Sequence, residues 1–296
     1  MAEKFIFGNH KKKYWIKSIN TLSRRIMTRS TSGDHEAEII LSKAITKANF
    51  SPMHIVLLAC FLECLKRNKY YGNIKIEDTE LFRFVVDELN FGQYFEMDGA
   101  DHIDSSTPEI FNIWKIVDSE TFMYSHSTTE YLNRNFFQGY DLSAIKNAMN
   151  ELYSNIADHS QSNGLAFSHL YYDDVERRIH MAACDFGLGI PCTLKKAGKI
   201  YKDDSEALLD SLKIGVTAQS QKHNKGFGLN DIISLVEGIG SLRIVSNNAF
   251  LYCLEDRTTI TSKPIDFEFN GTLIYFDICV NSFEVDEGII EGDVTL

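Results

Sequence analysis

Between residues 142 and 160, Ile145, Met149, Leu152 and Ile156 recur at helical spacing and predict a helix with one buried face. Glu151, Asn155 and His159 fall four apart on the neighbouring stripe, so a carboxylate, an amide and an imidazole run along the edge of that face. Earlier in the chain, Trp15, Ile19, Leu22 and Ile26 mark an amphipathic helix. The stretch "SPMHIVLLACFLECLKRN" predicts a second helix, with Ser51 as N-cap and Pro52 in its first turn. A strand "NIKIE" and a helix "DTELFRFVVDELNF" follow, and the polar run from 96 to 125 suits an irregular connection.

After residue 160 the period changes to two. "LAFSHLYYD" and "RRIHMAACDFG" predict strands joined through "DVE". A helix near "SEALLDSLK" and another at "LNDIISLVEGIG" follow, then three closing strands, "SLRIVSN", "AFLYCLED" and "GTLIYFDICV". Asn247 and Asn248 suit a hairpin turn between the first two of these strands. The sum is an α/β chain: a smaller α/β region, then a mixed sheet with helices on one face. The expected divisions are a basic helical segment over 1–34, a small α/β domain over 35–138 and a larger one over 139–296.

Composition narrows this picture. In 296 residues, 44% hydrophobic and 24% charged content fits a globular protein. No apolar run approaches the roughly 20 residues of a membrane span, and the first residues lack the pattern of a secretory signal. Six cysteines without a CxxC pair read as small buried hydrophobes in a reducing compartment, so a cytoplasmic protein is expected. The net charge of −11 argues against general nucleic-acid binding. The first 29 residues are the exception, because Lys4, Lys11, Lys12, Lys13, Lys17, Arg24, Arg25 and Arg29 face only Glu3. That helix is either a solvated surface or a docking surface for an acidic partner, membrane or nucleic acid.

Three motifs carry candidate chemistry. In "DFGLGIP", Asp185 ends a strand and Gly187 and Gly189 follow, so a carboxylate able to accept from an exocyclic amine sits beside backbone that a ligand can approach. In "NKGFGLNDII", Gly226 and Gly228 precede a helix whose free N–H groups suit phosphate. Neither a Walker A loop nor a Rossmann fingerprint is present. On the helix, Asn155 offers a neutral oxygen suited to Mg²⁺, and Glu151 can polarise an attacking water or hydroxyl.

The order of these motifs, ExxxN on a helix, DxGxGI after a strand and GxGL opening a helix, resembles the GHKL ATPases, which include gyrase, the heat-shock chaperone, histidine kinases and mismatch-repair ATPases. "NGTLIYFDI" resembles that family's last motif, and the likeness covers residues 140 to 280. It implies a Bergerat α/β sandwich that binds ATP with Mg²⁺. Asn155 would hold the metal and Asp185 would receive the adenine amine. Gly187, Gly189 and Ile190 would shape the adenine pocket, with Thr272 supporting it through water. Gly226, Gly228 and Leu229 would form the phosphate end, and residues 191–225 a mobile lid with Lys222 or Lys225 in reach of phosphate. Where the family often carries a further leading Gly, this chain has Asn224.

"ELYSNIADHS" looks most like the anti-sigma serine kinases, in which Glu151 would activate the attacking oxygen. The N-terminal region resembles STAS-like modules, the partners of such kinases. A protein partner is therefore implied, either a regulator or a substrate phosphorylated on Ser or Thr. Plain hydrolysis of ATP and an ATP-gated clamp that closes by forming a homodimer are the alternatives. A sensor histidine kinase would need His35, in "GDHEAEII", as phosphoacceptor on a helical hairpin.

Overall fold

The computed structural model describes residues 2–29, 33–92, 110–116, 121–213, 228–255 and 259–283. Strands β1 (Glu3–Phe7), β2 (His35–Leu41) and β3 (Tyr70–Ile76) form a parallel sheet in that order. Helices α1 (Lys12–Thr28) and α2 (Pro52–Arg67) make the crossovers that parallel strands require. Phe5, Phe7, Ala37, Ile39 and Leu41 point inward and are buried, and the rings of Phe5 and Phe7 meet Phe61 of α2 edge-on. Ser51 caps α2 as expected, in a reciprocal box with His54. The short helix α3 (Thr79–Arg83) follows β3, its start capped by the Asp78 carboxylate, which accepts the Leu81 N–H.

Strand β4 (Ile110–Lys115), β5 (Ala166–Asp173), β6 (Arg178–Asp185), β7 (Gly240–Cys253) and β8 (Thr261–Cys279) form a second sheet, in the order β4-β5-β6-β8-β7. Each neighbouring pair is antiparallel, where a mixed sheet was expected. Both of its faces are covered. Ala166, Leu170, Ile179, Met181, Ala183, Ile274 and Phe276 share a core with the helices α4 (Thr121–Asn135), α5 (Ser143–His159) and α8 (Gly228–Val236). Phe167, Ala182, Cys184, Leu273 and Tyr275 belong to the core built around α1 and α2. Helix α2 thus lies between the two sheets, which explains why it is apolar on nearly every side.

Three expectations change. The first 34 residues are not a separate segment, since β1 pairs with β2 and α1 shares the α2 core. β4 and α4 belong with the second sheet: β4 pairs with β5, and Tyr124, Thr128 and Leu132 of α4 are buried in the core of its other face. This Ser/Thr-rich helix is hard to foresee because its hydroxyls compete for backbone, but here Ser125, Thr128 and Thr129 bond carbonyls one turn back. Finally, Asn247 and Asn248 make no hairpin. β7 runs through them as one strand, with a bulge where Asn247 takes φ +48°.

The basic helix finds acids within its own chain. Lys13 and Lys17 meet Asp266 of β8, Arg24 meets Glu268, and Arg25 and Arg29 meet Glu3. Asn20, 5% exposed, donates to the carbonyl of Glu268 and accepts from the N–H of Asn270. No described helix is long and apolar enough to cross a membrane.

Candidate functional site

The apolar stripe of α5 packs as its spacing predicts, with Ile145, Met149, Leu152 and Ile156 buried. Glu151 and Asn155 lie at the edge of that face, half-buried, and the Asn155 Nδ2 donates to Glu151 Oε1 at 3.1 Å. Directing the amide nitrogen at the carboxylate leaves the Asn155 carbonyl oxygen as the atom offered outward. The His159 side chain lies outside the described residues.

Asp185 ends β6, opposite Thr272 of β8, and is 2% exposed. Burial pushes its carboxyl up to about 7, and the N–H groups of Gly187 and Thr272 pull the other way. The Gly187 N–H donates to Asp185 Oδ1 at 2.8 Å. Among the described residues no cation stands beside this buried carboxyl and its donors are backbone groups, so it has unused capacity to accept a hydrogen bond.

The two glycines on either side of this carboxyl are steric requirements. A Cβ at Gly187 would lie 2.0 Å from the carbonyl oxygen of Ser160, just past the end of α5. At Gly271, whose φ is +97°, it would lie 2.0 Å from the carbonyl oxygen of Asp185. Backbone of α5, of the turn after β6 and of β8 therefore stacks with no side chain between, and the Leu188 N–H donates to the Ser160 carbonyl at 2.7 Å. Ser160 lies five residues beyond Asn155, about 7.5 Å along a helix, so this contact brings the metal-suited amide toward the buried acid.

Helix α6 (Ile190–Lys196) starts here, and side chains of the bulged β7 satisfy its first N–H groups. The Ile190 N–H donates to Ser246 Oγ at 2.9 Å, and the Cys192 N–H to Asn247 Oδ1 at 3.0 Å. Ser246 Oγ also donates to the Gly271 carbonyl and lies 3.0 Å from Thr272 Oγ1. Asn247 Nδ2 donates to the Leu188 carbonyl. Ser246 and Asn247 are site residues outside the motifs, and Ser160 and Gly271 lie within "ELYSNIADHS" and "NGTLIYFDI" without an expected role.

Asp185, Gly187, Gly189, Ile190 and Thr272 are thus brought together, and α5 reaches the same turn through Ser160. Gly228 opens α8, and Leu229, 6% exposed, sits in the core that α8 shares with α5. Gly226, Asn224, Lys222 and Lys225 lie outside the described residues. The first part of the expected lid is α6 and the short helix α7 (Asp204–Asp210). These are held by the Lys195–Asp204 ion pair and by a bond from the Asn248 N–H to Asp204.

His35 opens a β-strand, and its ring lies against Tyr70 with centroids 4.9 Å apart. The helical hairpin that a histidine-kinase phosphoacceptor needs is therefore not where His35 sits. Comparison with models of known protein families and with curated proteins finds no match for this chain.

Proposed function

We propose that this chain binds ATP with Mg²⁺ between α5, the turn after β6 and the start of α8, in the manner of the GHKL ATPases that its motifs resemble. The single observation that carries this is Asp185. It is a fully buried strand-end carboxyl with backbone donors and no counter-charge among the described residues, flanked by glycines that keep side chains out. An exocyclic amine supplies the donor that such a group lacks, so the residues present fit an adenine ring. The donor set on α5 fits the metal, since a neutral amide oxygen beside a carboxylate suits a hard cation that also keeps phosphate and water.

Bound Mg²⁺–ATP supplies a transferable γ-phosphoryl group. Asp185 accepts the base amine, and Thr272, joined to Ser246, steadies that side of the pocket through water. Asn155 orients the metal edge. Glu151 accepts a proton from the attacking water or hydroxyl, and its bond from Asn155 holds the carboxylate in place for this. The first turn of α8 offers N–H groups to phosphate. With a water as acceptor the outcome is hydrolysis; with a protein Ser or Thr it is phosphorylation of a regulatory partner.

The N-terminal layer serves as a tethered regulatory module, joined to the nucleotide side through β8. Calorimetric titration of ATP tests the site: affinity should be lost in Asp185→Asn and Asn155→Ala, and undiminished affinity in Asp185→Asn would sink it. Incubation with γ-labelled ATP and candidate partners separates the two outcomes by whether label reaches protein or only free phosphate.

A further inference from the structure

A second constellation lies on the other face of the sheet. Along β6, Ile179, Met181, Ala183 and Asp185 face α5, whereas His180, Ala182 and Cys184 face α2. His180 is also near the opposite end of the strand from Asp185, so it has no part in the nucleotide pocket. Its ring stacks on Tyr171 of β5, with centroids 5.8 Å apart and planes 18° from parallel. Two residues further along β5 is Asp173, and the turn that follows carries Glu176. One ligand-type atom from each of Asp173, Glu176 and His180 lies within 4.8 Å of the other two.

The same three residues line a cavity of 770 Å³ between the sheet and the N-terminal layer. Tyr171 and the fully buried His169 continue its wall along β5, and Lys47 and Phe50 close it from the side of α2. The cluster therefore sits at the wall of a half-open cleft, with Asp173 and His180 half-buried and Glu176 exposed, and it mixes an imidazole with two carboxylates rather than gathering acids alone.

We propose that Asp173, Glu176 and His180 form a Zn²⁺ site at the wall of this interlayer cavity. One imidazole and two carboxylates are a borderline set that suits Zn²⁺ better than Mg²⁺ or Ca²⁺, which prefer oxygen throughout. Zinc bonds of about 2.0–2.2 Å to such ligands bring the atoms closer together than 4.8 Å, and the exposed Glu176 has the torsional freedom to close that gap. Asp173 is already fixed: its Oδ1 accepts the N–H groups of Val175 and Glu176, both at 2.9 Å, which leaves Oδ2 for the metal. Three protein ligands leave a fourth position for water or for an anionic small molecule in the cavity.

The test uses the full chain, stripped with chelator and free of nucleotide, titrated with ZnCl₂ by calorimetry, and with Co²⁺ as a spectroscopic substitute. We expect one Zn²⁺ per chain and a tetrahedral Co²⁺ absorption band. Affinity should fall by at least about tenfold in Glu176→Gln and in His180→Phe, which keeps the stack on Tyr171. Asn155→Ala and Asp185→Asn should bind Zn²⁺ as wild type does, so failure here and failure of the nucleotide site are told apart. Absence of saturable binding in wild type overturns the proposal. So does binding that survives both cluster substitutions, which would belong to thiols elsewhere; circular dichroism of Glu176→Gln, an exposed position, confirms the fold.

Discussion

Replacing Asp185 with asparagine should stabilise the ligand-free protein and abolish its ligand binding, and pH separates the two effects. Burial raises this carboxyl from its ordinary 3.8 to about 7. At 1.36 kcal/mol per pH unit, ionised Asp185 therefore costs the fold about 4 kcal/mol. The sign follows from where the protons sit. Below pH 3.8 both native and unfolded chains hold the proton, and there is no cost. As pH rises toward 7 the unfolded chain releases it first, so stability falls, and above 7 the loss is complete. The amide in Asp185→Asn has no such proton to lose.

Relative to wild type, the variant should gain about 2 kcal/mol at pH 5 and about 4 kcal/mol at pH 8. Hydrogen bonds of the new amide add an offset that does not depend on pH, so the quantity to read is the difference of about 2–3 kcal/mol between the two conditions. Urea unfolding followed by circular dichroism measures it, with equal m-values required of both proteins. Stability curves that run parallel from pH 5 to 8 would refute the reasoning. In wild type, a ligand amine captures the ionised carboxylate, so ATP affinity should rise about tenfold per pH unit up to about pH 7 and then level off.

Glu151→Ala should leave ATP affinity within about twofold while reducing turnover of labelled ATP by about 10²–10⁴-fold; equal loss of both would make the residue structural. Gly187→Ala should cost more than about 3 kcal/mol in urea unfolding, because its Cβ meets the Ser160 carbonyl at 2.0 Å. Gly198→Ala, at φ +83° but with open space around it, should cost only about 1 kcal/mol. Glu63, 9% exposed on its side chain, joins Arg67 of α2 to Lys115 of β4. Burial alone would raise its carboxyl, but hydrogen bonds from Lys115 and Arg67 outweigh burial and hold it below 4.5. Glu63→Gln should therefore lose about 1–2 kcal/mol at pH 7, allowing for solvent around the two cations. The gap should close as pH falls below about 4, measured by thermal unfolding.

Periodicity was enough to place α5, because Ile145, Met149, Leu152 and Ile156 hold one stripe without interruption. It was also enough for β5 and β6, where Ile179, Met181 and Ala183 alternate with His180 and Ala182 up to Asp185. It misled at Asn247. An Asn pair between apolar runs reads as a turn, yet a left-handed residue also makes a bulge, and only pairing with β8 chooses between them. Charge left α1 open between a solvated face and a docking face, since a run of lysines and arginines carries no mark of whether its acids lie far along the same chain, at Asp266 and Glu268.

Within the site, Asp185 and its glycines were visible because their chemistry is local. Ser246 and Asn247 were not, since their role is to cap a helix from another strand. Ordinary serines and asparagines leave no local trace of that.

The placement of α2 between two sheets bears on how such a chain can change over generations. Phe167, Ala182, Cys184 and Leu273 of the second sheet are covered by the layer that precedes them. A gene fragment that encoded the second sheet and its helices alone would present that apolar face to water and aggregate. Recombination at the border therefore uncovers that face, and substitutions in α2 must suit both neighbours at once.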